Sequence, residues 1–368
     1  MAGWVATWAT APEQIDETNM PESPLSNRSL RQVVHVSLGG DVLRLKLSNE
    51  FSSEPLEIKA VYIAEPTEGW GIVRKSEKYL KFKGKKSVVI PAGEAVWSDF
   101  LEYELKPIQR LSITINYGEN TPQFATCHRG SRTTSYIIDG ESKPASDFSG
   151  AETIDHWYNI CALEVPAEGQ RCFVVLGDSI TDGNGTTTNA QNRWTDFFAE
   201  AMDGKTGVLN LGIGASCLVR SKSPACGALR FDRDVLGQAG ATDVIVFYGV
   251  NDIGESTGDY EKVVGQMIAC YQDFIRKAHD AGLRIYLATI TPFGKSFYYS
   301  YFHEAARRTV NDWIRACKEA DGVIDFDAAV VDPTDRESMK AEFAKDYLHM
   351  NPSGYAVLGD FARRCMEK

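Results

Sequence analysis

Over the first 168 residues apolar and polar positions alternate in short runs. Val42-Leu43-Arg44-Leu45-Lys46-Leu47-Ser48 puts leucines on one face and Arg44, Lys46 and Ser48 on the other, the two-residue period of a half-buried strand. Similar runs follow at 58–64, 87–90, 111–117 and 134–138. Turn residues separate them: Gly39-Gly40-Asp41, Lys83-Gly84-Lys85, Pro91-Ala92-Gly93 and Tyr117-Gly118-Glu119. Many short strands with regular turn signals predict an all-β jelly roll or sandwich.

The period changes near Pro166 and Gly169, which sets a domain boundary between 1–168 and 169–368. Beyond it, short apolar runs at 172–176, 208–211, 243–248, 284–290 and 323–326 alternate with helical patterns at 193–202, 260–281, 304–319 and 352–366. The run 243–248 is nearly all apolar, as a strand covered on both faces must be. Gly282 stands where a helix commonly stops, and Pro352 stands in a first turn, where its missing N–H costs nothing. Strands alternating with helices predict a doubly wound α/β domain with a parallel sheet.

Composition narrows the function classes. The 368 residues are 43% hydrophobic and 24% charged, an ordinary globular balance. A formal net charge of -11 with no basic tract argues against nucleic acid or an anionic membrane surface as partner. No uninterrupted apolar stretch is long enough to span a bilayer. The opening Met1-Ala2-Gly3-Trp4 has no cationic start leading into an apolar run, so no signal peptide is read and a cytoplasmic location is expected. The eight cysteines are scattered without a CxxC pair. They predict neither a zinc site nor a disulfide framework, although a single Cys217–Cys226 bridge remains open.

Four short segments carry candidate chemistry, each just past a predicted strand end, the edge where open parallel sheets bind ligands. Gly177-Asp178-Ser179 can present a serine hydroxyl at a tight turn, but that hydroxyl needs a base to become a nucleophile. Asp346-Tyr347-Leu348-His349 supplies a candidate base and, three residues earlier, a carboxylate able to orient it. Gly249-Val250-Asn251-Asp252 offers a side-chain amide donor, and Asn210-Leu211-Gly212-Ile213-Gly214-Ala215 a loop of backbone N–H groups. Each segment alone also has a plain reading: a turn at Gly177-Asp178-Ser179 and at Asn251-Asp252, a surface histidine near a helix start at His349, and ordinary glycines after a strand at Gly212 and Gly214. No G-x-S-x-G surrounds Ser179, and neither H-E-x-x-H nor a P-loop occurs.

Together and in this order, the four segments resemble the blocks of the SGNH (GDSL-type) hydrolase superfamily, which centre on Ser, Gly, Asn and His. The resemblance implies a flavodoxin-like catalytic domain with Ser179 as nucleophile, His349 as base and Asp346 as its orienting partner. It also implies an oxyanion hole made by the N–H groups of Ser179 and Ala215 and the amide of Asn251, with no metal and no cofactor. One position departs: the family usually has glycine five residues after the block's asparagine, and here Ala215 stands there. A backbone N–H is the group used, so alanine can serve where its dihedrals avoid positive φ.

Residues 4–12, Asn27-Arg28-Ser29-Leu30-Arg31-Gln32 and Arg230-Phe231-Asp232-Arg233-Asp234-Val235 further resemble a two-domain bacterial subfamily that includes acylhydrolases associated with xylan degradation. That implies a serine esterase removing acetyl groups from plant-polysaccharide-derived carbohydrate, with a small-molecule or oligosaccharide ester as substrate. A general short-chain carboxylesterase, a lysophospholipase, a thioesterase or an acyltransferase would use the same residues. A carbohydrate-binding protein with an inert α/β half is the reading from another class, and the intact Ser179, Asn251, Asp346 and His349 set speaks against it. The aromatic segment Phe293 to Phe302 either walls a pocket, with Phe297 and Tyr299 on the substrate, or packs against the β half. Arg193 and Trp194 near the nucleophile loop face the same choice, with Trp194 expected on the substrate side, and His128-Arg129 are candidates from the β half.

Overall fold

The computed structural model describes residues 3–220 and 225–367, so Met1 and Ala2 of the N-terminal reading lie outside the described residues. The chain divides into two compact units. The first comprises Met1–Glu168 with Thr188–Gln191, and the second Gly169–Thr187 with Asn192–Lys368.

The first unit is mostly strand, arranged in antiparallel sheets. Gly3–Ala9, Ile160–Ala167, Gly40–Ser48 and Ala95–Trp97 run side by side in one, with Leu101–Leu105 also on Gly40–Ser48. A larger sheet centres on Arg28–His35, Arg110–Tyr117 and Leu56–Ala64. Leu43, Leu45 and Leu47 are fully buried while Arg44 and Lys46 face outward, the alternation that the sequence carries there. Arg28–His35 is different, because it buries Ser29, Arg31 and Gln32 along with its aliphatic residues. These polar groups are each satisfied. Arg31 donates to Thr114, the carbonyl of Trp70 and the hydroxyl of Tyr62, while Gln32 bonds the backbone of Tyr158 on both sides of its amide. Thr188–Gln191 groups with this unit through Asn189, whose amide bonds Thr134 twice, and Gln191, which donates to Thr133.

The second unit is a five-stranded parallel sheet in the spatial order Gly207–Gly212, Cys172–Gly177, Asp243–Phe247, Arg284–Ala288, Gly322–Ile324. Numbered along this unit the order is 2-1-3-4-5, the flavodoxin-like winding, whose switch point lies between the first and third strands. Every residue of Cys172–Gly177 and Asp243–Phe247 is buried, as helices on both faces of a parallel sheet require. The main helices are Trp194–Ala201, Tyr260–Asp280, Tyr301–Ala316 and Pro352–Met366. The last is capped by Asn351, whose side chain accepts the N–H of Gly354, with Pro352 in its first turn.

All eight cysteines are free, and six of them are buried. The possible Cys217–Cys226 bridge is therefore not formed, and these thiols act as small apolar packing groups.

Candidate active site

The central strand Cys172–Gly177 delivers Ser179 to the sheet edge at the switch point. Asp178 breaks the strand in an extended conformation and caps the next turn by accepting the N–H of Ile180 at 2.9 Å. Ser179 then opens the short helix Ser179–Asp182, a position whose N–H has no intrahelical acceptor. The neighbouring strands end on the same rung, with Gly177 opposite Gly212 on one side and Phe247 on the other. Ala215 follows three residues beyond Gly212, and Asn251 four residues beyond Phe247. Gly212 lies so close to the serine turn that a Cβ there would fall 2.3 Å from the backbone nitrogen of Asp182.

His349 arrives from the loop ahead of the last helix. The Asp346 carboxylate accepts the backbone N–H groups of Leu348 and His349 at 3.0 and 2.7 Å, and its other oxygen faces His349 Nδ1 at 2.9 Å. Burial pushes the Asp346 pKa up, but these donors outweigh it and carry the carboxyl below its ordinary range. A proton on Nδ1 donated to that carboxylate leaves Nε2 as an acceptor, and Nε2 lies 2.9 Å from Ser179 Oγ. The imidazole is thus set to receive a proton from the hydroxyl.

Asn184, which the sequence reading did not single out, places its amide 3.3 Å from the same Nε2. It is held from three sides. Its side-chain oxygen accepts Lys345 Nζ, its carbonyl accepts the Tyr355 hydroxyl, and its N–H bonds the carbonyl of Ser179. Only its position five residues after Ser179 could have pointed to it.

Ala215 is exposed and sits at φ 61. The condition set at the sequence level, a backbone outside the left-handed region, is not met. Alanine here takes the conformation that glycine adopts without cost, at about 1 kcal/mol or more for its Cβ. Its N–H has no acceptor among the described residues. Asn251 is buried; its Nδ2 donates to the carbonyl of Ser216 at 2.9 Å and its Oδ1 accepts the Tyr298 hydroxyl at 3.2 Å.

Behind these groups runs a buried polar frame. Arg230 donates to the carbonyl of Gly177, to Tyr248 and to Asp234, and Tyr248 shares a hydrogen bond with Ser216. The Asp252 carboxylate accepts the N–H groups of Leu218 and Val219, fixing the loop after the second strand. Burial raises the pKa of Asp252, against those donors, and pushes that of Asp178 up to about 7.

The expected substrate contacts divide. Trp194 is fully buried, packed edge-on against Phe247 and Phe326, and its indole N–H donates to Thr181. It is core behind the serine turn, and a substrate role for it is withdrawn. Arg193 is buried too, paired with Asp196. Tyr299 is half-buried and donates to Glu337, a hydrogen bond that pushes its phenol up to about 12. Phe297 is 75% exposed, as are Tyr301 at 81% and Phe302 at 65%. Within the first unit His128 is buried against Trp157, with Nδ1 at 3.0 Å from the carbonyl of Ala11, and Arg129 pairs with Glu13.

No curated protein matches the chain. Among solved structures, a GDSL-like lipase from Bacteroides thetaiotaomicron is 18% identical, with a TM-score of 0.42 over 55% of this chain and 90% of that one. A carbohydrate acetylesterase family member from Sinorhizobium meliloti is 17% identical, with a TM-score of 0.41 over 53% of this chain and 97% of that one. Residues 175–357, which carry Ser179, Asn251, Asp346 and His349 on the second unit's sheet edge, are matched by the model of the GDSL-like Lipase/Acylhydrolase family.

Proposed function

We propose that this protein is a serine esterase that removes short acyl groups, acetyl above all, from carbohydrate esters. The observation that carries the reading is the chain of contacts from Ser179 Oγ to His349 Nε2 to Asp346, each link 2.9 Å long. Ser179 Oγ attacks the ester carbonyl carbon while its proton passes to Nε2. The collapsing tetrahedral intermediate expels the sugar oxygen, which takes that proton. Water then attacks the acyl-enzyme, gives a proton to Nε2, and restores the serine as the acid leaves. The N–H groups of Ser179 and Ala215 and the Asn251 amide hold the oxyanion in both halves.

Sugar as the alcohol part is supported by the exposed rings of Phe297, Tyr301 and Phe302. They flank Tyr298, which touches Asn251, with Phe297 just before it and Tyr301 and Phe302 three and four residues beyond, and they offer apolar rings of the kind that mark binding surfaces. The segments that resemble xylan-associated acylhydrolases support the same class.

The test is acetate release from acetylated xylo-oligosaccharides, run beside p-nitrophenyl esters of rising chain length, for wild type and Ser179→Ala. Serine-dependent release that falls steeply with chain length is expected. Turnover confined to long acyl esters would replace the substrate class, and no serine-dependent turnover would overturn the enzyme reading.

A further inference from the structure

We infer that Tyr298 is a positioning residue for Asn251, holding the amide in the one orientation that keeps an N–H free for the oxyanion; this rests on the esterase reading above. A side-chain amide can turn over and exchange its oxygen and nitrogen. Here the two neighbours of Asn251 differ in kind, one an acceptor only and the other a hydroxyl that donates in the observed orientation. The Ser216 carbonyl can only accept, and it takes one Nδ2 hydrogen at 2.9 Å. The Tyr298 hydroxyl donates to Oδ1 at 3.2 Å. Turned over, the amide would set its oxygen against the Ser216 carbonyl oxygen and lose that bond, and the Tyr298 hydroxyl would have to turn from donor to acceptor. In the observed orientation the second Nδ2 hydrogen has no acceptor among the described residues. A hydrogen bond received at Oδ1 also polarises the amide and strengthens the donors at its nitrogen.

Tyr298 is itself fixed from several directions. Its ring lies over Gly254, where a Cβ would fall 2.2 Å from the ring carbons, so the helix Val250–Gly254 that carries Asn251 offers a glycine at the contact. Phe297 packs against the ring with centroids 4.5 Å apart. His303 reaches the carbonyl of Tyr298 through Nδ1 at 2.5 Å and that of Ser256 through Nε2 at 3.1 Å, tying the aromatic segment to the chain just past Asn251. Burial pushes the phenol well above its ordinary range, and Glu255 adds to this, so the hydroxyl stays a donor wherever the enzyme works. The aromatic segment therefore does more than offer rings to a substrate: one of its members reaches back to the reacting centre.

Tyr298→Phe removes the hydroxyl and keeps the ring over Gly254. Losing a direct oxyanion donor costs roughly a hundredfold in rate, and losing its orientation is expected to cost less, about tenfold in kcat on p-nitrophenyl acetate, with KM within about twofold. Rates are taken per Ser179 titrated with a fluorophosphonate, so that misfolded enzyme is not counted. The cycle with Asn251→Ala is decisive, because in that background Tyr298→Phe should lower kcat by less than about twofold. A trifluoromethyl ketone, which forms a tetrahedral oxyanion on the serine, should lose affinity in parallel with kcat. Undiminished kcat in Tyr298→Phe, or an equal loss in both backgrounds, overturns the role of Tyr298. Wild-type kcat in a folded Asn251→Ala overturns instead the oxyanion reading on which it rests.

Discussion

Asp178 is a carboxyl that the fold keeps out of water directly beside the serine. Burial raises its pKa to about 7, from 3.8 in an exposed chain. Below about pH 4 the group is protonated folded or unfolded and costs nothing. As pH rises from about 4 to about 7 the unfolded chain loses this proton while the folded one keeps it, so stability falls through that window and then levels. Asp178→Asn retains an acceptor for Ile180 and cannot ionise. Its urea midpoint, followed from pH 4.5 to 8, should decline less than that of wild type, whereas parallel profiles would show that Asp178 ionises freely in the fold. Single residues also show where the sequence was legible. The four segments around Ser179, Ala215, Asn251 and Asp346-to-His349 come to one sheet edge because each is tied to a strand or helix end that period and turn residues reveal. Asn184 and Tyr298 touch them from loops whose course depends on tertiary contacts, and nothing local marks them out. Trp194 misleads for the opposite reason: it is adjacent to the serine turn, but on the side that faces the core.

At the scale of elements, the α/β unit was easy to read because its strands are largely apolar and residues such as Gly282 and Pro352 mark where its helices end or begin. Pro352–Met366 matches its expected span, and Tyr260–Asp280 ends one residue short. Tyr301–Ala316 starts earlier than its period suggests because Ser300 caps it, accepting the N–H of His303, within a run of aromatics that hides the helical face. In the first unit the runs at 58–64 and 111–117 were legible although largely buried, whereas Gly3–Ala9, Arg28–His35 and Ile160–Ala167 were not. Arg28–His35 packs polar groups inward on hydrogen-bonded partners, which erases the alternation that reveals a strand. Contact between elements also bears on rate. Gly212 ends its strand against the backbone of Thr181 and Asp182, with no flexible side chain there to give way. Gly212→Ala should lower unfolding free energy by about 1–3 kcal/mol, the usual cost of overpacking. By pushing the serine turn aside it should also lower kcat. Thermal melts and ester assays on one preparation test both, and a variant that keeps both values would mean the turn moves freely.

For the molecule as a whole, the free cysteines give a direct measure of how closed the two units are. Six thiols are buried and only Cys317 and Cys365 are partly exposed, so a thiol reagent should titrate at most two in the native protein and all eight after denaturation. A denatured count of six would reveal a bridge. The shared rung of the sheet bears on how the site withstands change. Ser179, Ala215 and Asn251 all take their height from Gly177, Gly212 and Phe247, so on the proposed mechanism a substitution in any one loop displaces one donor and dims the chemistry by degrees. A slip of the ladder by a single residue would carry a whole strand's contribution off the sheet edge at once. The proposed active site is therefore graded towards its loops and all-or-none towards its sheet, which leaves the loops as the part of the chain where new substrates can be tried without putting the proposed reaction at stake.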